Sequence, residues 1–196
     1  TDLYSNPVPA AGTETFGMEG ELLQKVSLLT KELKCAKSEF FLALFNLILY
    51  NETNQFDLTI GVPVSQRKHP KLVQLVGVSL NVLLLRTFVD ETMPFTDLLG
   101  NVCTDMRASF HHQQYPYDWL YDKVKGNSHN ELFTILFNYF TSHTENHALS
   151  ADIIPVEIKE QIPKYDITLY VYDNAVSLQF KLVYNRNKFS QYRIKR

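Results

Sequence analysis

The chain has 196 residues, 45% of them hydrophobic and 13% aromatic, with 19 basic against 21 acidic side chains and a net charge of −2. This length and apolar content support one globular unit with a substantial core, and seven Gly and eight Pro are too few for a fibrous or disordered chain. The balanced charge leaves no footprint for nucleic acid or an anionic membrane, and the basic cluster Arg193, Lys195 and Arg196 reads as a solvated helix face.

Residues 1–12, rich in Pro, Ala, Gly and Asn, read as a linker, and Thr13 to Met18 as a short strand. Glu21 to Lys34 carries Leu22, Val26, Leu29 and Leu33 at helical spacing, which predicts one apolar face. Ser38 is placed to cap the next helix, Glu39 to Tyr50, which is apolar nearly all round and so needs burial on most sides. The same run, broken by Asn46, is shorter than the ~20 apolar residues of a membrane span. Asp57 to Val64 reads as a strand. Gly77 to Phe88 reads as another, and its run Leu83, Leu84, Leu85 predicts a strand inside a sheet covered on both sides.

Thr92 and Pro94 mark a helix start, followed by Phe95, Leu98, Leu99, Val102, Met106 and Phe110 at helical spacing. Pro116 opens a short helix that Gly126 closes. Leu132 to Phe140 is strand-like, with Phe133, Ile135, Phe137 and Tyr139 on one face. The clearest alternation is last. Ile167, Leu169 and Val171 alternate with Thr168, Tyr170 and Tyr172; after Asp173 and Asn174, Val176, Leu178, Phe180, Leu182 and Tyr184 share a face, as in a hairpin with one buried side. The order of helices and strands, with no internal repeat, predicts an α/β (α+β) sandwich whose mixed sheet is covered by helices.

Chemical motifs are sparse. Gly61-Val62-Pro63 is no phosphate loop, because such a cradle needs several free N–H groups and proline has none. There is no GxSxG elbow, and the carboxylates are dispersed. Cys35 and Cys103 form no CxxC pair, which argues against zinc and suits reduced thiols in the cytoplasm. His111-His112 falls at the end of an amphipathic helix, where the helix dipole favours His; an adjacent pair can also furnish a general base.

Three segments, a fourth weaker one and the chain's ending together carry a family pattern. DLTIGVPVSQR, residues 57–67, resembles the form D-x-x-x-G-x-P-x-x-x-R, with Gly61, Pro63 and Arg67 in place. VGVSLNVLLLR, residues 76–86, is similar to (I/V)-G-x-F-V-N-T-x-x-x-R; Gly77, Asn81 and Arg86 match, while Ser79 and Val82 depart. HQQYPYD, residues 112–118, is similar to (H/N)-Q-D-(Y/V)-P-F-E through His112, Gln113, Tyr115 and Pro116. Residues 125–132 match R-D-x-S-R-N-P-L more weakly, at Ser128, Asn130 and Leu132, and the ending YNRNKF resembles Y-N-x-x-x-F. In this order and spacing the chain resembles the condensation domains of nonribosomal peptide synthetases, and VGVSLN favours the peptide-bond-forming type.

The resemblance implies a chloramphenicol acetyltransferase-like half-domain: residues 13–196 would be the C-terminal subdomain of a condensation domain. The family's catalytic motif, HHxxxDG, belongs to the N-terminal subdomain; here His111-His112 is followed by QQYPYD, so no catalytic residue is assigned. Gly61, Pro63, Arg67, Gly77, Asn81, Arg86, His112, Gln113 and Pro116 stand as motif or tunnel-wall candidates, with Asn81 expected to brace backbone and Arg67 and Arg86 to pair with carboxylates. The resemblance further implies partners: the N-terminal subdomain, peptidyl carrier domains that bring phosphopantetheine, and an adjacent adenylation domain. The chain itself would bind no cofactor or metal. Residues 61–75 match the family's floor loop, and residues 141–165 are the candidate latch, expected to be disordered or packed on a neighbour when the chain is alone. Alternative readings are a noncatalytic recruitment domain of the same fold, or half of another carrier-dependent acyltransferase.

Overall fold

A computed structural model describes residues 10–67, 70–74, 76–125, 131–141 and 160–196. In chain order the elements are β1 (Ala11–Glu19), α1 (Gly20–Glu32), α2 (Lys37–Thr53), β2 (Asp57–Ser65), α3 (Pro70–Val73), β3 (Leu80–Phe88), α4 (Phe95–His111), α5 (Tyr117–Lys125), β4 (Ile135–Thr141), β5 (Ile167–Asp173), β6 (Ser177–Asn185) and α6 (Gln191–Lys195). The strands hydrogen-bond in the order β1-β6-β5-β4-β2-β3, and the β2–β4 pair is parallel where β1–β6, β5–β6 and β2–β3 are antiparallel. The mixed sheet with helices is the expected fold class.

Composition predicts one globular unit; the chain instead divides into two, residues 1–24 with 138–196, and residues 25–137. The cause is the pairing of the sequence-distant strands β1 and β6, in register from Ala11↔Asn185 to Glu19↔Ser177, which leaves the middle of the chain to build its own core.

In the middle unit, α2 is buried through Phe40, Phe41, Leu42, Ala43, Phe45 and Leu49, as its all-round apolarity requires. It starts one residue before Ser38. The N-terminal bond comes from Glu39, whose Oε2 accepts from the Ala36 N–H at 2.7 Å, so Ser38 is a helical residue and not the cap. The helix ends at Asn54, in the left-handed region at φ 54°, with its N–H bonded to the Tyr50 carbonyl. α4 packs with α2 and β3 through Leu98, Leu99, Val102 and Met106; the Phe40 and Phe95 rings meet edge to face at 5.7 Å. The buried residues of α1 are Leu23, Val26 and Thr30, whereas Leu22 and Leu29 of the expected face are exposed. Both sets have helical spacing, and only tertiary packing chooses between them.

The expectation for β3 is also corrected. It lies at the end of the strand order, with Leu83, Leu85 and Thr87 buried and Leu84 half-buried, so it is an edge and not an interior strand. Burial on both faces is found instead in β2, through Ile60, Gly61 and Val62, in β4, through Leu136 and Phe137, and in β5, through Ile167, Thr168 and Leu169.

In the other unit the hairpin forms where predicted, but it is not buried on one side alone, since Thr168 and Val183, off the expected apolar face, are buried as well. Its turn is held by Asp173 Oδ1, which accepts from the Ala175 N–H at 3.0 Å, and Asn174 Oδ1, which accepts from the Ser177 N–H at 2.8 Å. Val176 belongs to this turn and is exposed, not on the apolar face with Leu178 and Phe180. Phe16 of β1 stacks on Phe180 at 4.6 Å, and α6, capped by Ser190, is tied to β1 by Gln191 donating to Glu14. β1 begins two residues before the expected strand. Residues 142–159 of the candidate latch lie outside the described residues, as do Gly126, Ser128 and Asn130 of the fourth motif.

Candidate functional site

The motif residues gather in the middle unit, around the loop between β2 and β3 and the turn between α4 and α5. Gly61 is required by contact: a Cβ there would stand 2.3 Å from the Phe133 ring, which in turn meets Tyr117 edge to face at 5.7 Å. Pro63 sits beyond the last residue pairs joining β2 to β4, Ile60↔Ile135 and Gly61↔Leu136, so its missing N–H removes no bond from that ladder.

Arg67 follows β2 and reaches across the loop. Its guanidinium donates to the carbonyls of Leu72, at 2.6 Å, and Gly77, while its own N–H donates to Ser65 Oγ. The expected carboxylate partner is therefore replaced, in these bonds, by backbone carbonyls that fix the loop's path. Gly77 has φ 143°, open to glycine and strained for other residues. Arg86 does pair with a carboxylate. Its Nε and Nη2 donate to the two oxygens of Asp57 at 2.8 and 2.7 Å, a bidentate bridge across β2 and β3, and its guanidinium lies 5.0 Å from the centre of the Phe88 ring. Hydrogen bonding to Arg86 holds the Asp57 carboxyl below the usual range.

Asn81 is the hub. Its Nδ2 donates to the carbonyls of Gln113, at 2.9 Å, and Tyr115, at 2.7 Å, and its Oδ1 accepts from the Tyr117 N–H at 3.0 Å. One side-chain amide thus satisfies three backbone groups in the turn around Pro116 and the first turn of α5, where free N–H groups need partners. Gln66 adds a second tether, with Nε2 2.6 Å from the Gln113 carbonyl, and buried Gln113 donates its own Nε2 to the Phe110 carbonyl. Sequence reasoning named Asn81 as a brace. It missed Gln66 and Phe133, whose roles come from contacts with residues far along the chain.

His111 ends α4 and His112 follows as its C-cap. They face different hollows: His111 lines one with Pro63 and Phe110, and His112 another, of about 310 Å³, with Val82, Leu84, Tyr115 and Leu120. Neither imidazole bonds to a carboxylate among the described residues, so nothing there sets one up as a general base.

A second polar cluster ties α2 to α4. Glu39, buried, is 3.5 Å from Arg107 Nε, and burial first and the nearby Glu39 second push the Cys103 thiol up to about 12. Its groups bond to one another and hold helices together. Among the described residues no group of three or more His, Cys, Asp or Glu is arranged to hold a metal, and no helix is long and apolar enough to cross a membrane.

The architecture is that of condensation domains. The chain superposes on the X-domain from teicoplanin biosynthesis with a TM-score of 0.81 at 14% identity, covering 98% of this chain and 46% of that one. On the first condensation domain of the CDA synthetase the TM-score is 0.73 at 15% identity, covering 99% and 44%. The sequence supplies the family: the condensation-domain profile matches residues 8–196, and the chain belongs to that family. It is 27% identical over 185 residues to tyrocidine synthase 3 of Brevibacillus parabrevis and 28% identical over 190 residues to bacitracin synthase 1 of Bacillus licheniformis. These matches cover 92% and 94% of this chain, but it spans only 3% and 4% of those synthetases.

Proposed function

We propose that the chain is the C-terminal subdomain of a nonribosomal peptide synthetase condensation domain and supplies one wall of its substrate tunnel, without the catalytic base. In the parent reaction an acceptor amine, held on one carrier's phosphopantetheine arm, attacks the donor thioester carbonyl on another. A C–N bond forms, the C–S bond breaks, the donor arm leaves as a thiol, and the amine loses one proton. The thioester is already activated, so alignment of two tethered substrates carries much of the barrier reduction, ~7–11 kcal/mol in a well-oriented site. The N-terminal subdomain would bring the other wall and the HHxxxDG base, worth about 10²–10⁴-fold. Carrier domains and an adjacent adenylation domain are the partners of this reading, and phosphopantetheine enters only on the carriers.

The observation that carries it is how the motif residues are used. Asn81, Arg67 and Gln113 bond to backbone carbonyls or N–H groups and shape a loop and a turn, and among the described residues the His111-His112 pair has no carboxylate behind it. This is what a wall needs and a base does not. The test supplies loaded donor and acceptor carriers to this chain alone, then with the N-terminal half added. We expect amide formation only with both halves. Turnover by this chain alone would overturn the proposal, and no turnover with halves shown to bind each other would favour a recruitment domain.

A further inference from the structure

Two thiols flank one ion pair of the middle unit. Cys35 lies in the turn between α1 and α2, and Cys103 on the buried side of α4 with Leu99, Val102 and Met106; both are free. The turn contains Lys34 in the left-handed region, at φ 54°, after which the Cys35 N–H returns to the Thr30 carbonyl at 3.0 Å. A chain that folds back in this way lays the residue after the left-handed one against the last turn of its helix. The Cys35 side chain does so: its Sγ is 3.7 Å from the carbonyl oxygen of Thr30, a buried residue.

α4 reaches this turn from the other side. Arg107 Nη2 donates to the Lys34 carbonyl at 3.5 Å, and Arg107 Nε is 3.5 Å from Glu39 Oε1, while Glu39 Oε2 accepts from the Ala36 N–H at 2.7 Å. Cys35 is the residue between the carbonyl that Arg107 holds and the N–H that Glu39 holds. Cys103 stands one helical turn before Arg107, on the same face of α4. Phe40 meets Phe95 at the start of α4, and Glu39 meets Arg107 toward its end, so the start of α2 crosses α4 between them, at the level of Cys103. Burial, Glu39 and then Cys35 itself push the Cys103 thiol up to about 12, and burial and Glu39 raise the Cys35 thiol too, as expected of two thiols about one carboxylate.

We propose that Cys35 and Cys103 form a reversible disulfide that staples the α1–α2 turn to α4. The oxidant is a low-molecular-weight disulfide of the glutathione class. Half-buried Cys35 attacks first, as the thiolate; it bonds to one sulfur of the small disulfide, and one small thiol leaves. Cys103 then gives up its proton and attacks the Cys35 sulfur, and the second small thiol leaves. Two protein thiols lose two electrons and two protons, which convert one small disulfide into two small thiols. The bond needs Cα atoms ~4.4–6.8 Å apart. The adjustment falls on the turn, which α4 grips at Lys34 through the long 3.5 Å bond from Arg107. Linking residues 35 and 103 closes a long loop, which restricts the unfolded chain more than the fold. The pair is independent of the proposed function.

The test equilibrates the full chain with oxidised and reduced glutathione, in buffer and in urea, then quenches with acid, alkylates and digests without reduction. In buffer the product should be the intramolecular Cys35–Cys103 bond, seen as one linked peptide pair and as the loss of two hydrogens from the intact chain. The ratio of bonded to reduced chain should be at least about tenfold higher in buffer than in urea, and the oxidised chain should unfold at a higher urea midpoint than the reduced one. Cys35→Ser should leave Cys103 unoxidised, and Cys103→Ser should stop at a glutathione adduct on Cys35. The inference is overturned if the wild type stops at that adduct, or if the bond forms no better in buffer than in urea. A bond that lowers the urea midpoint, or covalent dimers in place of the internal bond, would also overturn it. The main comparison uses one polypeptide in two redox states, so it stands even where a serine variant fails to fold.

Discussion

Two antiparallel pairs of the molecule, β5–β6 and β2–β3, are built by different means. β5 and β6 are joined by a tight turn that Asp173 and Asn174 hold with their own side chains, and the ladder runs from Ile167↔Tyr184 to Asp173↔Leu178. β2 and β3 have a ladder of similar regularity, but their connection runs from Gln66 to Ser79, and its path is set by Arg67 on the Leu72 and Gly77 carbonyls. The hairpin uses its neighbours in sequence for structure, and both its strands are flanked in the sheet. The β2–β3 pair recruits Gln113, Tyr115 and Tyr117 from more than 30 residues away, and among the described residues β3 ends the strand order. Local code makes a scaffold; non-local bonds make the surface on which specificity can be written.

The largest effect expected from testing this contrast is in the hairpin. Phe180→Ala removes a ring that is 4% exposed and stacked on Phe16, and should cost about 3–5 kcal/mol in a urea titration. A loss under about 1 kcal/mol would mean that the hairpin's ladder, and not its apolar face, holds that unit. Next is Asn81→Ala. It deprives two carbonyls and one N–H of their partner and should cost about 1–3 kcal/mol. Hydrogen exchange should quicken at Tyr117 and stay unchanged at β6; uniform acceleration would deny Asn81 its local role.

Cys103 offers a smaller, pH-dependent contrast. Burial holds its thiol protonated up to about 12, against 9.0 when free. A raised value in the fold favours the folded form fully below 9.0, and that contribution is lost as pH climbs toward about 12. At pH 8 the native thiol should react with a disulfide reagent far more slowly than in urea; equal rates would mean that the α2–α4 contact opens readily. The smallest effect belongs to Arg86→Ala. Its bridge to Asp57 is exposed and salt-screened, so the urea midpoint should not move measurably, despite the bidentate geometry.

How much was legible in advance follows the same division. The hairpin's place and turn could be read from alternation because that information is local, but not its burial: Val176 is exposed in the turn, and Thr168 and Val183, off the expected apolar face, are buried. α2 could be read because every face is apolar, but the buried side of α1 could not: Leu22-Val26-Leu29 and Leu23-Val26-Thr30 are equally helical, and packing selects the second. The Leu83-Leu84-Leu85 run signalled burial but not position, since helices can cover an edge strand as well as an interior one. At the site, Asn81 was legible as an amide inside an apolar strand that must find bonds. Gln66 and Phe133 carried no such signal, because a polar residue after a strand and an aromatic before one are ordinary; only contact with Gln113 and Gly61 gives them a role.

The central claim is that this chain shapes a condensation site and does not provide its base. The most direct measurement is the single-turnover rate of amide formation by the two halves together, with His112 intact and with His112→Ala, on loaded carriers. With His112 as a helix C-cap whose ring has no hydrogen-bond partner among the described residues, the rate should change by no more than about threefold, against the 10²–10⁴-fold that removal of a general base produces. A loss in that larger range, with the halves still bound to each other, would make His112 a catalytic residue and contradict the account.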